Sequence, residues 1–363
     1  MSRVPASPSR SNMKAALLGL THPHSDILFT TLANLPEITA ISLWDADPAV
    51  VAETPFSRRP KTTALTHDLD DILDDSELTF AIVCARHDLS AEICLKVIQA
   101  GKHLLAEKPV GFDSTQINAL QDAAREAGVV ASVLYPRRAH PCMVAARQLL
   151  HPNALGPLFS IEGRFLTTQV KFRQPESWLF REDQAGGGIL LWLGCHCLDL
   201  MQYVTDDPIV EVAAMTAIRS GEMIDVEDTA VLSLKFRSGA LGSFHAGYTL
   251  AHHGTGYVNQ KGYDSYLGFN ARNGRVVWPD LDPRLQIESP SESDGSPHRE
   301  TVFDLPASNS YGGSYGEGFF RQFIAATQGA SDPPTTLADA FRTARVIEAA
   351  AESALSKVFV KIG

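Results

Sequence analysis

The sequence has none of the features that mark membrane-inserted or secreted chains, and it has little positive charge. No apolar run reaches the length of a transmembrane helix. Residues 1–12 are polar and contain proline, so we expect a flexible tail there rather than a signal peptide. Acidic residues outnumber basic ones, 42 to 31, and the net charge of −11 repels phosphate backbones. We therefore expect neither a membrane nor a nucleic acid as a partner.

Cysteine is scarce, and the five cysteines are Cys84, Cys94, Cys142, Cys195 and Cys197. An odd number at irregular spacing gives no disulfide framework and favours a reducing cytoplasm. The Cys195-His196-Cys197 triplet could suggest a metal site. Because two residues that are two positions apart on a helix point to different faces, one ion cannot easily bind both thiols. We predict no metal site.

What the first part of the chain does have is an alternation of apolar strands and helices. Strands are predicted at 14–20, 38–45, 78–85, 102–109 and 129–136. The alternation predicts a parallel sheet, and we assign residues 13–137 to an α/β dinucleotide-binding domain of the Rossmann type. Ligands of such sheets bind outside the carboxyl ends of the strands, so the residues that follow the strands are the candidates for a site.

The pattern changes beyond residue 137. Strand then follows strand, one helix is predicted at about 189–204, and two helices close the chain at about 315–328 and 337–355. We predict an α+β domain over 138–363 with a large, mostly antiparallel open sheet, serving substrate binding and oligomerisation. Its C-terminal helices are candidates for packing back on the first domain. The length of 363 residues also favours two domains.

The turn after the first strand, "GLTHPHS", departs from the usual glycine-rich pattern. Gly19 can make the tight turn, but Thr21 and His24 stand where two further glycines are expected. We predict that the backbone amides at the start of the helix still bind a pyrophosphate, with His22 or His24 donating a hydrogen bond, more strongly when protonated, and Pro23 as the first helical residue. In the alternative, His24 is too bulky and the loop binds nothing.

An acidic residue ends the second strand. Asp45 lies 21 residues after His24, near the spacing at which a carboxylate binds the adenosine ribose hydroxyls. Such a carboxylate would repel a 2′-phosphate, which favours NAD over NADP. The nearby Arg58, Arg59 and Lys61 keep NADP open.

Two further stretches carry reactive side chains. In "GKHLLAEKPVG" (101–111), Lys108 directly follows a strand and would face the ligand crevice, although most lysines are simply exposed to solvent. In "AGGGILLWLGCHCLDLMQY" (185–203), helical spacing puts Trp192, His196 and Asp199 on one face. The alternative for His196 is a core histidine with satisfied hydrogen bonds.

These two stretches resemble the Gfo/Idh/MocA oxidoreductase family, named for glucose–fructose oxidoreductase and inositol dehydrogenase. "VLYPRRAHP" (133–141) and "VEDTAVLSLKFRSGALGSF" (226–244) extend the resemblance over nearly the whole chain. The resemblance implies a nucleotide-binding domain joined to an open antiparallel sheet. It also implies NAD(P)-dependent chemistry on sugars and polyols, and a homodimer or homotetramer formed through the open sheets.

The resemblance also implies roles for single residues. Lys108 matches the lysine that holds the reacting oxygen, and His196 matches the acid–base histidine. Glu107, in the Glu-Lys-Pro triplet, joins Lys108 among the expected cofactor contacts. Two positions depart from the family: Trp192 stands where an Asp usually precedes the histidine by four residues, and Pro136 stands where Asn or Gln usually follows the strand tyrosine.

Three functions remain open. The first is an NAD(P)-dependent oxidoreductase acting on a secondary hydroxyl or ketone of a sugar, polyol or sugar acid. The second is a redox-neutral lyase, glycosidase or isomerase that uses NAD within one turnover, and the third is a silent nucleotide-binding sensor. Lys108 and His196 argue against the third. We expect Trp192, Asp199 and the loop 251–266 to supply substrate contacts.

Overall fold

The structure is a computed structural model that describes residues 12–151, 154–253, 256–257, 262–280, 283–290 and 297–363. Residues 1–11 of the predicted tail therefore lie outside the described part of the chain. So does much of the loop 251–266, and the side chains of 252–261 are not described.

The first domain contains a sheet of six parallel strands, which confirms the predicted sheet. The strands are β1 (Met13–Leu18), β2 (Ile38–Trp44), β3 (Thr62–Thr66), β4 (Leu78–Val83), β5 (His103–Ala106) and β6 (Ala131–Val133). Their order across the sheet is β3-β2-β1-β4-β5-β6, and every pairing is parallel. This order reverses at β1 and β4, where doubly wound sheets open a crevice for a ligand.

Helices connect these strands on both faces of the sheet. They are α1 (Ser25–Asn34), α2 (Pro48–Glu53), α3 (Asp70–Leu73), α4 (His87–Gln99) and α5 (Ser114–Ala127). α5 ends at Gly128, whose φ of 67° is left-handed. Its N-cap is Asp113, whose side chain accepts from the Gln116 amide.

One strand of this sheet escaped prediction. β3 has the sequence TTALT, which is short, and its residues are only half-buried or exposed. An edge strand pairs on one side alone and so needs no continuous apolar run. The apolar criterion that found the buried strands therefore passed over it.

The second domain is built on a mixed sheet of nine strands. They are β7 (Leu158–Thr168), β8 (Ile209–Ala217), β9 (Thr229–Phe236), β10 (Leu241–Leu250), β13 (Tyr263–Ala271), β14 (Gly274–Pro279), β15 (Arg284–Glu288), β16 (His298–Val302) and β17 (Val360–Lys361); β11 (His252–His253) and β12 (Gly256–Tyr257) form a separate pair. Only β7 and β10 pair in parallel, and the other seven pairings are antiparallel. The predicted large, mostly antiparallel sheet is confirmed.

One face of this sheet is covered and the other is open. Along β9, every second residue from Ala230 to Phe236 is buried, whereas Val231, Ser233 and Lys235 between them are exposed. The covering elements include α6 (Pro141–Leu150), α7 (Glu182–Ala185) and α8 (Cys195–Thr205), with short 3₁₀ turns at Val170–Phe172 and Trp178–Phe180. The period of two along the strand therefore records which face meets the core.

The last two helices contribute to the core of the first domain as well. α9 (Gly313–Thr327) places Phe319, Phe320 and Phe323 in the cluster beneath β1 and β4. α10 (Leu337–Ser356) adds Leu337 and Ala340 to the cluster on the other face. Helices that follow the connection at residues 136–141 thus contribute side chains to the core of the first domain. The domain boundary at residue 137 stays a prediction.

Candidate functional site

Gly19 forms the turn at the carboxyl end of β1. Its φ is 101°, and a Cβ atom there would lie 2.3 Å from the carbonyl oxygen of Cys84, at the end of β4. No side chain fits in that space, so the glycine is required by both conformation and contact. The turn is held by Ser25, whose hydroxyl donates to the Gly19 carbonyl at 2.9 Å.

Asp45 lies beside this turn and is buried. Its Oδ2 accepts from the Leu20 amide at 2.8 Å, and its Oδ1 accepts from the Asp47 amide at 3.1 Å. Asp45 therefore fixes the loop after β1 as well as the end of β2. Each carboxylate oxygen retains capacity for a further hydrogen bond. Gly19, Thr21, Asp45 and Arg86 all line a cavity of about 340 Å³ at this edge of the sheet.

The basic residues that kept NADP open do not line this cavity. Arg59 pairs with Asp26 at 2.8 Å and lies over the rings of Phe29 and Phe56. Lys61 donates to the carbonyl of Leu35 at 2.8 Å. Arg58 is exposed in the 3₁₀ turn Pro55–Arg58. Arg86 does line the cavity, and its guanidinium is bound by both oxygens of Asp88.

His22 points away from the cavity, into the interior between the domains. Its Nδ1 accepts from the His24 amide at 3.1 Å, so a neutral ring carries its proton on Nε2. Burial is the main cause that lowers its pKa well below 6.5, with smaller effects from nearby positive charges. Burial therefore disfavours the protonated form of His22, and its hydrogen bond to the pyrophosphate stays a prediction.

His24 also differs from the expectation. It is the N-terminal boundary residue of α1, which begins at Ser25, so Pro23 precedes the helix instead of starting it. The His24 ring donates through Nδ1 to Oε1 of Glu107 at 3.0 Å and stacks on Trp192, with 5.3 Å between ring centroids. His24 is thus accommodated by the interdomain contact, and the turn does not swing out.

Lys108 lies at the centre of that contact and is fully buried. It follows β5, after Glu107, and its peptide bond to Pro109 is cis. Its Nζ donates to the carbonyl oxygen of Trp192 at 2.7 Å and lies 3.7 Å from the centroid of the Trp192 ring. Glu107 Oε1 is 3.7 Å away. The alternative of an ordinary exposed lysine is excluded.

Aromatic rings from four parts of the chain surround this lysine. His22, His24, His87, Trp178 and Trp192 lie with neighbouring centroids 4.9–6.4 Å apart, and we call them the aromatic cluster. His87 begins α4 and donates from Nδ1 to the Ala185 carbonyl at 2.7 Å, which leaves Nε2 as an acceptor without a partner among the described residues. Burial lowers the pKa of His87 to about 3.

The helix that carries Trp192 and His196 is anchored by one glutamate. Glu227 accepts from the amides of Gly188 and Leu190 at 2.8 and 3.0 Å. A Cβ atom on Gly188 would lie 1.9 Å from the Glu227 carbonyl, so glycine permits this close approach. Residues Leu190–Gly194 then form a π-helical turn before α8. Such turns are often found at functional sites, because the wider turn re-aims the side chains.

His196 is the second residue of α8 and is buried against Tyr135, with their ring centroids 5.7 Å apart. Its Nδ1 has no hydrogen-bond partner in the described part of the chain. Burial lowers its pKa well below 6.5, and the charges of Arg137 and Lys108 lower it further. His196 is therefore a neutral imidazole with a free nitrogen, one helical turn beyond the carbonyl that Lys108 holds.

Asp199 does not join this group. Both of its oxygens accept from Arg138, at 2.9 and 2.5 Å, and Arg138 also contacts Asp339 on α10 at 3.1 Å. Asp199 was expected to contact substrate. In the structure it belongs to a buried ion pair that joins the connection between the domains to α8 and α10. Helical spacing correctly identified a buried face, but it could not show which partner each residue meets.

The structure thus brings Lys108, Glu107, His24, Trp192 and His22 together, with His196 alongside. The cavity beside Gly19, Thr21 and Asp45 lies at the other end of the same sheet edge. His87 and Trp178 were missed. His87 begins α4, just after the loop that leaves the carboxyl end of β4, so the rule that ligands bind after strand ends could have found it. Trp178 lies in a short 3₁₀ turn with no such signal.

Two family models match the chain with residues on either side of the connection. Residues 143–260 match the C-terminal domain of the GFO/IDH/MocA proteins. Residues 20–135 match an oxidoreductase family with an NAD-binding Rossmann fold, and the two models together span more than half of the chain. The chain belongs to the Gfo/Idh/MocA oxidoreductase family.

Named members of the family resemble this chain at moderate identity. Levoglucosan dehydrogenase of Pseudarthrobacter phenanthrenivorans is 26% identical in an alignment 358 residues long that covers 88% of each chain. The structure of a levoglucosan dehydrogenase with NADH and levoglucosan has a TM-score of 0.84 at 23% identity, over 97% of this chain and 100% of that one. The structure of the aldose-aldose oxidoreductase of Caulobacter crescentus has a TM-score of 0.80 at 20% identity, over 96% of this chain and 99% of that one. The two structures share the fold with this chain.

Proposed function

We propose that the protein is an NAD-dependent oxidoreductase acting on a secondary hydroxyl or ketone of a sugar, polyol or sugar acid, with Lys108 and His196 handling the proton. One observation carries the proposal. Lys108 is fully buried at the carboxyl edge of the Rossmann sheet and is bonded to the helix that presents His196 one turn later. A buried lysine beside a neutral buried histidine is rarely needed for stability and is typical of a catalytic centre.

The described residues fit a dinucleotide. Gly19 makes the tight turn after β1 and lines the cavity together with Asp45, and the N-terminus of α1 has no side-chain cap, so its amides can face an anion. Asp45 has spare acceptor capacity for ribose hydroxyls and would repel a 2′-phosphate, which favours NAD over NADP. Bound NAD would supply the hydride acceptor or donor.

Lys108 and His196 supply the proton chemistry. Lys108 uses one N–H on the Trp192 carbonyl and has two others with which to hold a substrate oxygen. Its positive charge would stabilise an alkoxide and thereby lower the pKa of the bound hydroxyl. His196 is neutral and can accept the hydroxyl proton. Glu107, bonded to His24, holds the lysine end of the segment in place.

A second candidate is a redox-neutral enzyme that keeps its NAD through each turnover. The observation that favours it is Trp192, which occupies the position of the family Asp and packs its ring against the Lys108 ammonium. A site closed by aromatic side chains would release a nucleotide slowly. This candidate uses the same residues but yields no net NADH.

The experiment has two parts. The nucleotide released on denaturing the purified protein is identified by mass, and NADH absorbance is then followed with NAD and a panel of sugars, polyols and sugar acids. Net NADH with at least one compound supports the dehydrogenase. Retained NAD with product but no net NADH favours the redox-neutral enzyme, and no NAD binding at millimolar concentration rejects both.

Two further features belong to this proposal. The open face of the second sheet, which includes Val231, Ser233 and Lys235, supports a homodimer or homotetramer formed face to face, and light scattering at micromolar concentration tests it. All five cysteines are buried, and none forms a disulfide bond with another described residue, which supports a cytoplasmic protein. Among the described residues, no helix is long and apolar enough to cross a membrane.

A further inference from the structure

Arg137 and Arg138 are neighbours with opposite surroundings. Arg138 is saturated by the carboxylates of Asp199 and Asp339. Arg137 has no ion pair within the described residues, and its Nη1 is buried without any hydrogen-bond partner there. A buried guanidinium nitrogen without a partner is costly, because the charge has lost its water and gained nothing in return. Arg137 is therefore the group in this region that a ligand could satisfy.

The position of Arg137 is also that of a ligand contact. Arg137 lies in the 3₁₀ turn Pro136–Ala139, which follows the carboxyl edge of the parallel sheet. It is two residues after Tyr135, whose ring packs against His196. Its Cζ lies 4.5 Å from the ring centroid of Phe165, on the covered face of β7. Arg137 thus lies against the second-domain sheet and close enough to His196 for its charge to lower the pKa of that ring.

A second guanidinium contacts the same strand. Arg173, just after the 3₁₀ turn Val170–Phe172, donates from Nη2 to the hydroxyl of Thr167 at 2.6 Å, while its Nε is buried without a partner in the described part of the chain. Thr167 and Phe165 are two residues apart on β7 and so share a face. The wall formed by this face therefore offers two cations.

Neither of these guanidinium groups makes an ion pair within the described residues. One acidic residue, Asp280, lies beside the wall, since its amide donates to the carbonyl of Ser265, and Ser265 is the cross-strand neighbour of Phe165. Both guanidinium charges therefore remain available to an anionic group of a ligand.

We propose that Arg137, assisted by Arg173, binds the carboxylate of the substrate, so that the substrate is a polyhydroxy acid and not a neutral sugar. The inference rests on the proposed function, because it places substrate between His196 and β7. Arginine presents paired N–H groups in a plane that matches a carboxylate, and such charge-assisted bonds are among the strongest in proteins.

The test is a calorimetric titration of the NADH-saturated protein with matched pairs that differ by one carboxylate. The pairs are D-gluconate with D-glucitol and D-glucuronate with D-glucose. We expect an acid of either pair to bind at least about tenfold more tightly than its neutral partner. Arg137→Met should weaken acid binding about tenfold to a hundredfold and leave the neutral partner unchanged. Arg137→Lys should keep part of the preference.

A matched control is Arg164→Met, which removes an arginine on the other face of β7, where it pairs with Asp264. It should not alter the preference for the acid. Arg173→Gln is the second test variant, and we expect it to lose less affinity for the acid than Arg137→Met does. It tests the inference even if Arg137→Met does not fold. Thermal unfolding establishes folding in each case.

Three outcomes would overturn the inference: neutral partners bind as tightly as acids, Arg137→Met weakens both equally, or D-glucose 6-phosphate binds and the carboxylates do not. The inference and the proposed function fail separately. Tight, Arg137-dependent binding of an acid without NADH formation sinks the function alone. NADH formation from neutral sugars without acid preference sinks the inference alone.

Discussion

The two ends of the sheet edge differ in how they are built. At the end near β1 and β2, Gly19, Thr21 and Asp45 line an open cavity, and the binding groups are backbone amides and one carboxylate. At the end near β5, Lys108 is fully buried, and side chains from several elements enclose it. The first end presents groups that suit a dinucleotide, and the second encloses a buried cation with reactive side chains.

The difference separates binding from chemistry. The described residues that line the cavity include no lysine or histidine, whereas Lys108, His196 and Glu107 meet at the enclosed end. If this division is correct, changes at the enclosed end should abolish turnover and spare nucleotide binding, and changes at the cavity should weaken the nucleotide. The predictions below test the division in order of decreasing effect.

The largest expected effect is at Lys108. Lys108→Met should lower kcat/KM by about a thousandfold, because the substrate oxygen loses its cation. NAD affinity by calorimetry should stay within about threefold, since one hydrogen bond at most is lost toward the nucleotide. Lys96→Met, at an exposed lysine of α4, is the control and should change neither quantity. Equal losses of binding and turnover would contradict the division.

His196→Asn should lower kcat by about a hundredfold without changing NAD affinity, because it removes the proton acceptor and keeps a polar side chain. The pKa of His196 is held well below 6.5, so the ring is already unprotonated at neutral pH. In the wild-type protein, kcat/KM should therefore not rise with an apparent pKa near 6.5. Such a rise, abolished by His196→Asn, would show a histidine that titrates normally.

Stability should fall in acid because several histidines are buried neutral. Burial lowers the pKa of His87 to about 3 and that of His140 to about 4, while the unfolded rings titrate near 6.5. Below pH 6.5 the unfolded state takes up protons that the folded state refuses, so stability present above that pH is lost as the pH falls. At pH 5, His87 alone should cost about 2 kcal/mol.

Chemical denaturation at pH 7.5 and pH 5 measures this loss of stability. His87→Gln should reduce the loss, because Gln can still donate to the Ala185 carbonyl but does not titrate. His67→Gln, at an exposed histidine, is the control and should leave the loss unchanged. A loss that His87→Gln does not reduce would contradict the neutral state assigned to this ring.

The smallest expected effect is at the cavity. Asp45→Asn should weaken NAD binding about tenfold and leave NADP binding unchanged or improved, because the carboxylate that repels a 2′-phosphate is gone. The variant also loses one backbone acceptor, so its thermal unfolding should be measured beside its affinity. An equal loss for both nucleotides would mean that Asp45 acts only by holding the loop.

The contrast between the two ends also explains what could be predicted from the sequence. Gly19 and Asp45 act through backbone geometry and spacing along one βαβ unit, which local patterns record. Lys108 was found because it directly follows a strand of a parallel sheet. The buried strands were predicted by their apolar runs, and the edge strand β3 was not, because half-exposed residues leave no such run.

The enclosed end could not be assembled from the sequence, since its contacts join residues far apart in the chain. His22 was expected to face the phosphates, but the ring turns inward because His87, Trp178 and Trp192 provide an aromatic surface for it. Asp199 was expected beside His196, but Arg138, 61 residues earlier, is its partner. Sequence spacing cannot predict these contacts, because it shows which face of a helix a residue lies on and not which distant residue it contacts.

The most direct test of the central claim is the formation of NADH by the purified wild-type protein, supplied with NAD and the panel of sugars, polyols and sugar acids. The account predicts that at least one compound, a polyhydroxy acid above all, yields net NADH over many turnovers and that Lys108→Met yields almost none. A protein that binds NAD at the Gly19 cavity and yet forms no net NADH with any member would contradict it.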